Sequence, residues 1–486
     1  MISFESFSFR YRDGVCPALD EVSFCIEEGE FVLLTGPSGC GKSTLALAAA
    51  GFLFSQYDGE TSGRVLLEGA SIQELPIYDV ADIVGLVQQN PESQFCTLTV
   101  EDEIVFGLEN RKYPREKIQQ ELDWSLQAVG AQHLRSRLLS SLSGGEKQKI
   151  ALAAILAARP RVIIFDEPTS NLDPSATREI FETILRLREE AGLTVLVIEH
   201  KLDFLSRIQP RMVFMKEGRI VRAEENRYSR GWEKLTPPVY SGRADVPLVE
   251  VQNLSAGFDE VDVLQQISFE IHPGELISLM GDNGSGKSTL LLSLLGLVKG
   301  SGGRVRVFGQ DLREGYPAGL GQKIGLVFQN PDHQLFADSV WEEAVFAPRN
   351  FQLPKSGYEE RIRQLLHQAG LAGREEHHPY RLSYGEKRRL NMISVLAYQP
   401  SLLLLDEIFI GQDRENAHFL LTMLIDFVER GGSVVMVNHN PEYYPRAATR
   451  LMFLAGGELL LDAPLEEGMT ALQRLGKTPY LPGGMP

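Results

Sequence analysis

"FVLLTGPSGCGKSTLALAAAG" runs from Phe31 to Gly51. Its first residues form an apolar run without period-two alternation, which reads as a strand buried on both faces. A glycine-rich turn follows, then a segment of small and aliphatic residues that favours a helix. Strand, glycine loop and helix in that order are the setting in which the Walker A pattern binds phosphate. The glycines let the loop wrap so that backbone N–H groups point inward, where they and the helix N-terminus meet phosphate oxygens. "LISLMGDNGSGKSTLLLSLLG", from Leu276 to Gly296, repeats the arrangement. A glycine-rich turn arising by chance does not account for two correctly placed copies.

The repeat extends along the chain. Gln89 recurs as Gln329, Ser143 as Ser383 and Asp166 as Asp406, each 240 positions on. His200 recurs as His439 after 239 positions and Lys42 as Lys287 after 245. So steady an offset means two copies of one domain. The first copy is expected over residues 1–225 and the second over 248–486, the last twenty or so residues forming a tail. Residues 226–247 carry Pro237-Pro238 and no clear period, and read as a linker. Further buried strands are expected in "RVIIFDE" (Arg161 to Glu167), "TVLVIEH" (Thr194 to His200), "LLLLDE" and "VVMVNH". Strands separated by helical segments imply an α/β fold with a parallel sheet covered on both faces, binding ligand at the carboxyl ends of the strands.

In this setting Gly36, Gly39 and Gly41, with Gly281, Gly284 and Gly286, shape the two phosphate loops. Lys42 and Lys287 reach the β- and γ-phosphates, Ser43 and Ser288 ligate Mg²⁺, and Thr44 and Thr289 complete the motifs. Asp166 and Asp406 end apolar runs, where a carboxylate holds Mg²⁺ through water. Glu167 and Glu407 follow and are placed to orient or deprotonate an attacking water. His200 and His439 end another strand in each copy, where they either sense the γ-phosphate or serve as structural histidines.

Composition narrows the class. The chain has 486 residues, a hydrophobic content of 43% and a net charge of −17. That length accommodates two domains, and that charge opposes a nucleic-acid partner. Cys16, Cys25, Cys40 and Cys96 show no metal or redox spacing, as expected of a reduced, cytosolic protein. The N-terminus lacks the pattern of a signal peptide. The longest apolar stretch, Leu290 to Val298, reaches about half a membrane span, so any spanning belongs to another chain.

With "LSGGE" at Leu142 to Glu146 and "LSYGE" at Leu382 to Glu386, the chain resembles a tandem pair of ABC-type ATPase domains. The resemblance implies two P-loop NTPase domains, each with a mainly parallel sheet, a small antiparallel β part and a helical subdomain. It also implies ATP and Mg²⁺ as ligands, and a head-to-tail pairing of the two domains within one chain. One site would join Lys42, Ser43, Gln89, Asp166, Glu167 and His200 to Ser383 and Gly385. The other would join Lys287, Ser288, Gln329, Asp406, Glu407 and His439 to Ser143 and Gly145. Tyr11 and Phe258 fall where the family stacks a ring on adenine, a position that also suits an aromatic of the small antiparallel core.

The loops "QNPESQF" (Gln89 to Phe95) and "QNPDHQLF" (Gln329 to Phe336) are similar to those of energy-coupling factor importer ATPases. So are "TVEDEIVFGLEN" (Thr99 to Asn110) and "SVWEEAVFAPRN" (Ser339 to Asn350). Those importers take up vitamins or transition-metal ions. The resemblance implies integral membrane partners, an energy-coupling transmembrane protein and a substrate-binding membrane protein, with this chain peripheral on the cytoplasmic face. The resemblance also implies that Gln89 and Gln329 contact Mg²⁺ and link it and the γ-phosphate to the partner's groove. Phe95, Leu335 and Phe336 either border that groove or belong to the helical core. Two other readings remain: a soluble tandem ATPase acting on ribosomes, and the ATPase of another ABC importer such as a sugar importer. The second signature replaces Gly144 by Tyr384, and "DEPTSNLD" (Asp166 to Asp173) becomes "DEIFIGQD" (Asp406 to Asp413). These changes predict two ATP sites of unequal rate, the Lys42 site being the slower.

Overall fold

The computed structural model describes all residues except 13, 15, 171, 200–209, 222–234, 236, 239–245, 259–260, 316–318 and 483–486. The chain divides into two compact units, Met1–Ser229 and Arg230–Pro486. Most of the expected linker, and the expected role of His200, lie outside the described residues.

In the first unit the strand Phe31–Thr35 is buried at every position. It lies between Thr194–Ile198 and Arg211–Lys216, parallel to both. Val162–Asp166 and then Val84–Val87 extend the parallel run, and Arg219–Val221 closes the opposite edge antiparallel. Burial on both faces explains why these strands read as unbroken apolar runs. A separate antiparallel sheet is ordered Leu19–Ile26, Ile2–Tyr11, Gly59–Leu67, Ala70–Ser71.

The second unit repeats both sheets. Leu276–Gly281 pairs in parallel with Ser433–Val437 and Arg450–Ala455, and Leu402–Asp406 and Ile324–Val327 follow beyond Ser433–Val437. Glu458–Pro464 is the antiparallel edge. Its small sheet is ordered Val261–Ile271, Val249–Phe258, Gly300–Val307, Gln310–Asp311. The five residues by which the first copy is longer between Lys42 and Gln89 coincide with a short helix, Phe52–Gln56, which has no counterpart among the described helices of the second unit.

Each unit carries a helical part with its own start signals. Val100–Asn110 and Val340–Asn350 begin at capping residues Thr99 and Ser339, whose side chains accept from the backbone three residues on. Gly144–Leu156 and Tyr384–Leu396 each open on a full capping box, Ser143 with Glu146 and Ser383 with Glu386. Reciprocal bonds of this kind satisfy N–H groups that a helix start otherwise leaves unpaired.

Leu465–Arg474 forms a helix, Thr478–Tyr480 forms a helical turn, and Leu472 and Tyr480 are buried in the second unit's core. No helix among the described residues is long and apolar enough to cross a membrane.

Candidate nucleotide-binding sites

The two phosphate loops have matching geometry. Gly41 and Gly286 cap the helices Lys42–Ala49 and Lys287–Leu294 in the left-handed region, φ 105° and 99°. A Cβ on Gly41 would lie 2.2 Å from the Ala18 carbonyl oxygen, so only glycine fits that turn. Lys42 is buried, its Nζ 2.9 Å from the Gly36 carbonyl and 2.8 Å from that of Pro37. Lys287 repeats this on Gly281, at 3.0 Å, and Asp282, at 2.8 Å. Each ammonium is thus held inside its own loop, at the centre of the cradle that the motif builds for polyphosphate. Cys40 is buried in the first loop with its Sγ 3.9 Å from Lys42 Nζ, while Ser285 holds the matching position in the second.

The strand-tip carboxylates sit beside these loops. Ser288 Oγ donates to Asp406 Oδ2 at 2.7 Å. Asp406 Oδ1 is buried and has no hydrogen-bond partner among the described residues. Burial pushes the Asp406 carboxyl up, and the adjacent Glu407 adds to this, against the Ser288 bond and the Lys287 charge. An orphaned carboxylate oxygen next to a serine hydroxyl fits Mg²⁺, which binds through one or two protein oxygens, waters and substrate phosphates rather than in an all-protein cage. No group of three or more His, Cys, Asp and Glu placed to hold a metal exists among the described residues. Ser288 and Asp406, with Ser43 and Asp166 at the matching positions, would hold the ion, which supplies charge neutralisation at the β- and γ-phosphates.

The glutamates carry a feature that residue type alone does not reveal. Glu167 and Glu407 are in the left-handed region, φ 48° and 51°. Their N–H groups continue the sheet, bonding the carbonyls of Ile198 and Val437. The chain then turns, so that the side chain leaves the sheet edge toward the glutamine loop. Gln89 Nε2 donates to Glu167 Oε2 and Gln329 Nε2 to Glu407 Oε2, both at 2.9 Å. His439 Nε2 bonds Glu407 Oε1. The structure therefore brings Gln329, Glu407 and His439 together, and brings Gln89 to Glu167. A non-glycine residue in this conformation costs of order 1–3 kcal/mol and persists where the surroundings fix it, typically at functional sites.

The two aromatic candidates differ. Tyr11 is partly buried, its hydroxyl 3.1 Å from Thr44 Oγ1 and its ring edge-on to Phe9 and Tyr57. Phe258 is exposed at the end of its strand.

The signature serines sit at helix starts, with Gly145 against Ala176 and Gly385 near Gln412. Tyr384 is the first residue of its helix and is not among the positive-φ residues, so the Gly144-to-tyrosine change does not strain the backbone. Its side chain turns back onto its own unit. The hydroxyl accepts from Arg388 Nη2 at 2.9 Å and donates to the Gln329 carbonyl at 3.3 Å, and the ring packs on Gly411. Arg388, fully buried, also bonds the Phe328 carbonyl. In the structure Tyr384 ties its own signature helix to its own glutamine loop. Of the apolar residues after the glutamines, Leu335 is core, Phe95 packs against core, and Phe336 is 60% exposed with its ring 4.6 Å from that of Phe346.

A phosphate loop between a buried parallel strand and a helix, with an Asp-Glu pair at the tip of another strand of the same sheet, defines a P-loop ATPase. A family model described as "ABC transporter" matches residues 19–170 and 264–409. The chain belongs to the ABC transporter family, as an ATP-binding, ATP-hydrolysing protein with two such domains in tandem. It is 33% identical to a putative ABC transporter ATP-binding protein of Methanosarcina mazei, across 99% of this chain and 92% of that one. It is 35% identical to the putative HMP/thiamine import ATP-binding protein YkoD of Bacillus subtilis, across 95% and 91%. Among solved structures, an archaeal ribosome recycling factor, aABCE1, in complex with the ribosomal stalk protein aP1 superimposes with a TM-score of 0.66. It is 21% identical and the match covers 97% of this chain and 92% of that one, a likeness of fold alone.

Proposed function

We propose that this chain powers a membrane importer of the energy-coupling factor type, taking up a vitamin or a transition-metal ion. It would sit peripherally on the cytoplasmic face, bound to an energy-coupling transmembrane protein and a substrate-binding membrane protein. Each phosphate loop would be completed by the other unit's signature, Ser383 and Gly385 serving Lys42, and Ser143 and Gly145 serving Lys287. ATP would favour the closed pairing and ADP release it, the work coming from the difference in affinity for the two states.

The observation that carries this reading is the linkage at the glutamine loops. Gln89 and Gln329 each bond the adjacent strand-tip glutamate. Just beyond them, large apolar side chains stand exposed: Leu98, Phe106 and Leu138 in one unit, Phe336, Phe346 and Tyr380 in the other. Exposed apolar clusters of this kind mark partner surfaces. A membrane helix docked there would reach the glutamates by way of the loops that carry Gln89 and Gln329. The likeness to the putative HMP/thiamine import ATP-binding protein supports the vitamin class.

The test is purification of the tagged chain from its native membranes, followed by Mg-ATP hydrolysis. Integral membrane proteins should copurify and stimulate hydrolysis. Copurifying ribosomes would favour the soluble reading. A periplasmic-type sugar-binding protein in the operative complex would favour a sugar importer.

A further inference from the structure

We propose that the C-terminal segment of the chain is a positioning element for the second phosphate loop, with Lys477 and Tyr480 holding Asp282 and so setting how tightly that loop binds ATP. The proposal rests on the Lys287 loop being a nucleotide site.

Asp282 directly follows Gly281 in the loop and is gripped from two sides. Its carbonyl accepts from Lys287 Nζ at 2.8 Å. Its carboxylate accepts from Lys477 Nζ at Oδ2 and from the Tyr480 hydroxyl at Oδ1, both at 2.8 Å. Burial pushes this carboxyl up, yet the Lys477 and Tyr480 bonds hold it below the ordinary aspartate range. It is therefore a carboxylate beside the place where a polyphosphate arrives. A bare negative charge there opposes binding. The tail supplies a cation against it and two bonds that fix its direction.

The tail is itself anchored. Tyr480 is fully buried, its ring edge-on to Phe453 at 4.9 Å and its carbonyl bonded by the Tyr444 hydroxyl at 3.0 Å. Lys477 lies over the same Phe453 ring, 5.3 Å from its centre. Phe453 pairs with Met280, the residue before Gly281. The loop and the segment that holds it thus share one pair of strands. In the first unit the matching residue is Pro37, which has no side-chain acceptor, and its carbonyl still receives Lys42. The lysine cradle needs no tail, so the clamp is an addition belonging to the second loop.

The experiment uses the full chain carrying Lys42→Ala, so that binding reports on the second loop, with a trinitrophenyl-ATP probe displaced by Mg-ATP. Tyr480→Phe keeps the buried ring and removes only the hydroxyl; Lys477→Met keeps the stem and removes the charge. Each should weaken Mg-ATP binding by roughly threefold to tenfold, the range expected for one lost hydrogen bond. With Asp282→Ala also present, the Tyr480→Phe effect should vanish. In a chain carrying Lys287→Ala instead, Tyr480→Phe should leave binding at the first loop unchanged. Unaltered affinity in Tyr480→Phe, or an equal loss with Asp282→Ala present, overturns the proposal and assigns Tyr480 to packing alone. A Lys42→Ala chain that binds no nucleotide overturns the second site and the proposal together.

Discussion

Glu407 is held at both carboxylate oxygens, by Gln329 and His439, on a backbone turned into the left-handed region. In the proposed reaction, a group so fixed would receive a proton from water without first reorganising. Glu407→Gln and Glu167→Gln should each lower hydrolysis at their own site by about 10²-fold or more. If the Lys42 site is the slower, Glu407→Gln removes the larger share of steady-state phosphate release, and equal losses would end the asymmetry. Tyr384→Phe tests the other unusual residue. It withdraws a partner from the buried Arg388 and frees the Gln329 carbonyl, which should cost about 1–3 kcal/mol by denaturant titration. At this scale the sequence disclosed identities and not poses. Lys42, Asp166 and Glu407 could be named as candidates because the proposed chemistry demands those side chains in that order. The left-handed turn at Glu167 and Glu407 was not, since glutamate carries no signal for positive φ. Nor was the direction of Tyr384, which depends on Arg388 and Gly411 meeting it in three dimensions.

Among the elements, the signature helices are the most fully specified by local sequence. Ser-x-x-Glu opens both, and the structure closes both capping boxes. Ser383→Ala should destabilise the second unit by ~1 kcal/mol, read as a lower urea midpoint with unchanged slope. The strand Arg450–Ala455 is held differently. Arg450 is buried and joins Glu275 at 3.0 Å and Asp462 on the edge strand. Arg450→Ala strands Glu275 without its cation, and should cost about 3–5 kcal/mol. Limited proteolysis should then release second-unit peptides first. The buried strands were legible from their apolar runs. The extra helix Phe52–Gln56 showed only as a change in repeat offset, and no motif marked the final helix Leu465–Arg474.

The whole molecule carries a net charge of −17. Filter binding with mixed-length RNA at physiological salt should retain none, and salt-sensitive retention would reopen the ribosomal reading. The chain also distributes its thiols unevenly. All four cysteines fall in the first unit, three exposed and Cys40 buried in the phosphate loop beside Lys42. An alkylating reagent is therefore blind to the second unit. Peptide mapping after brief maleimide treatment should show Cys40 modified far more slowly than its exposed neighbours, and more slowly still with Mg-ATP present. Its labelling rate is thus a native reporter of occupancy at one loop of two. Ser285→Cys would put a buried thiol at the matching position and give the other loop a voice of its own.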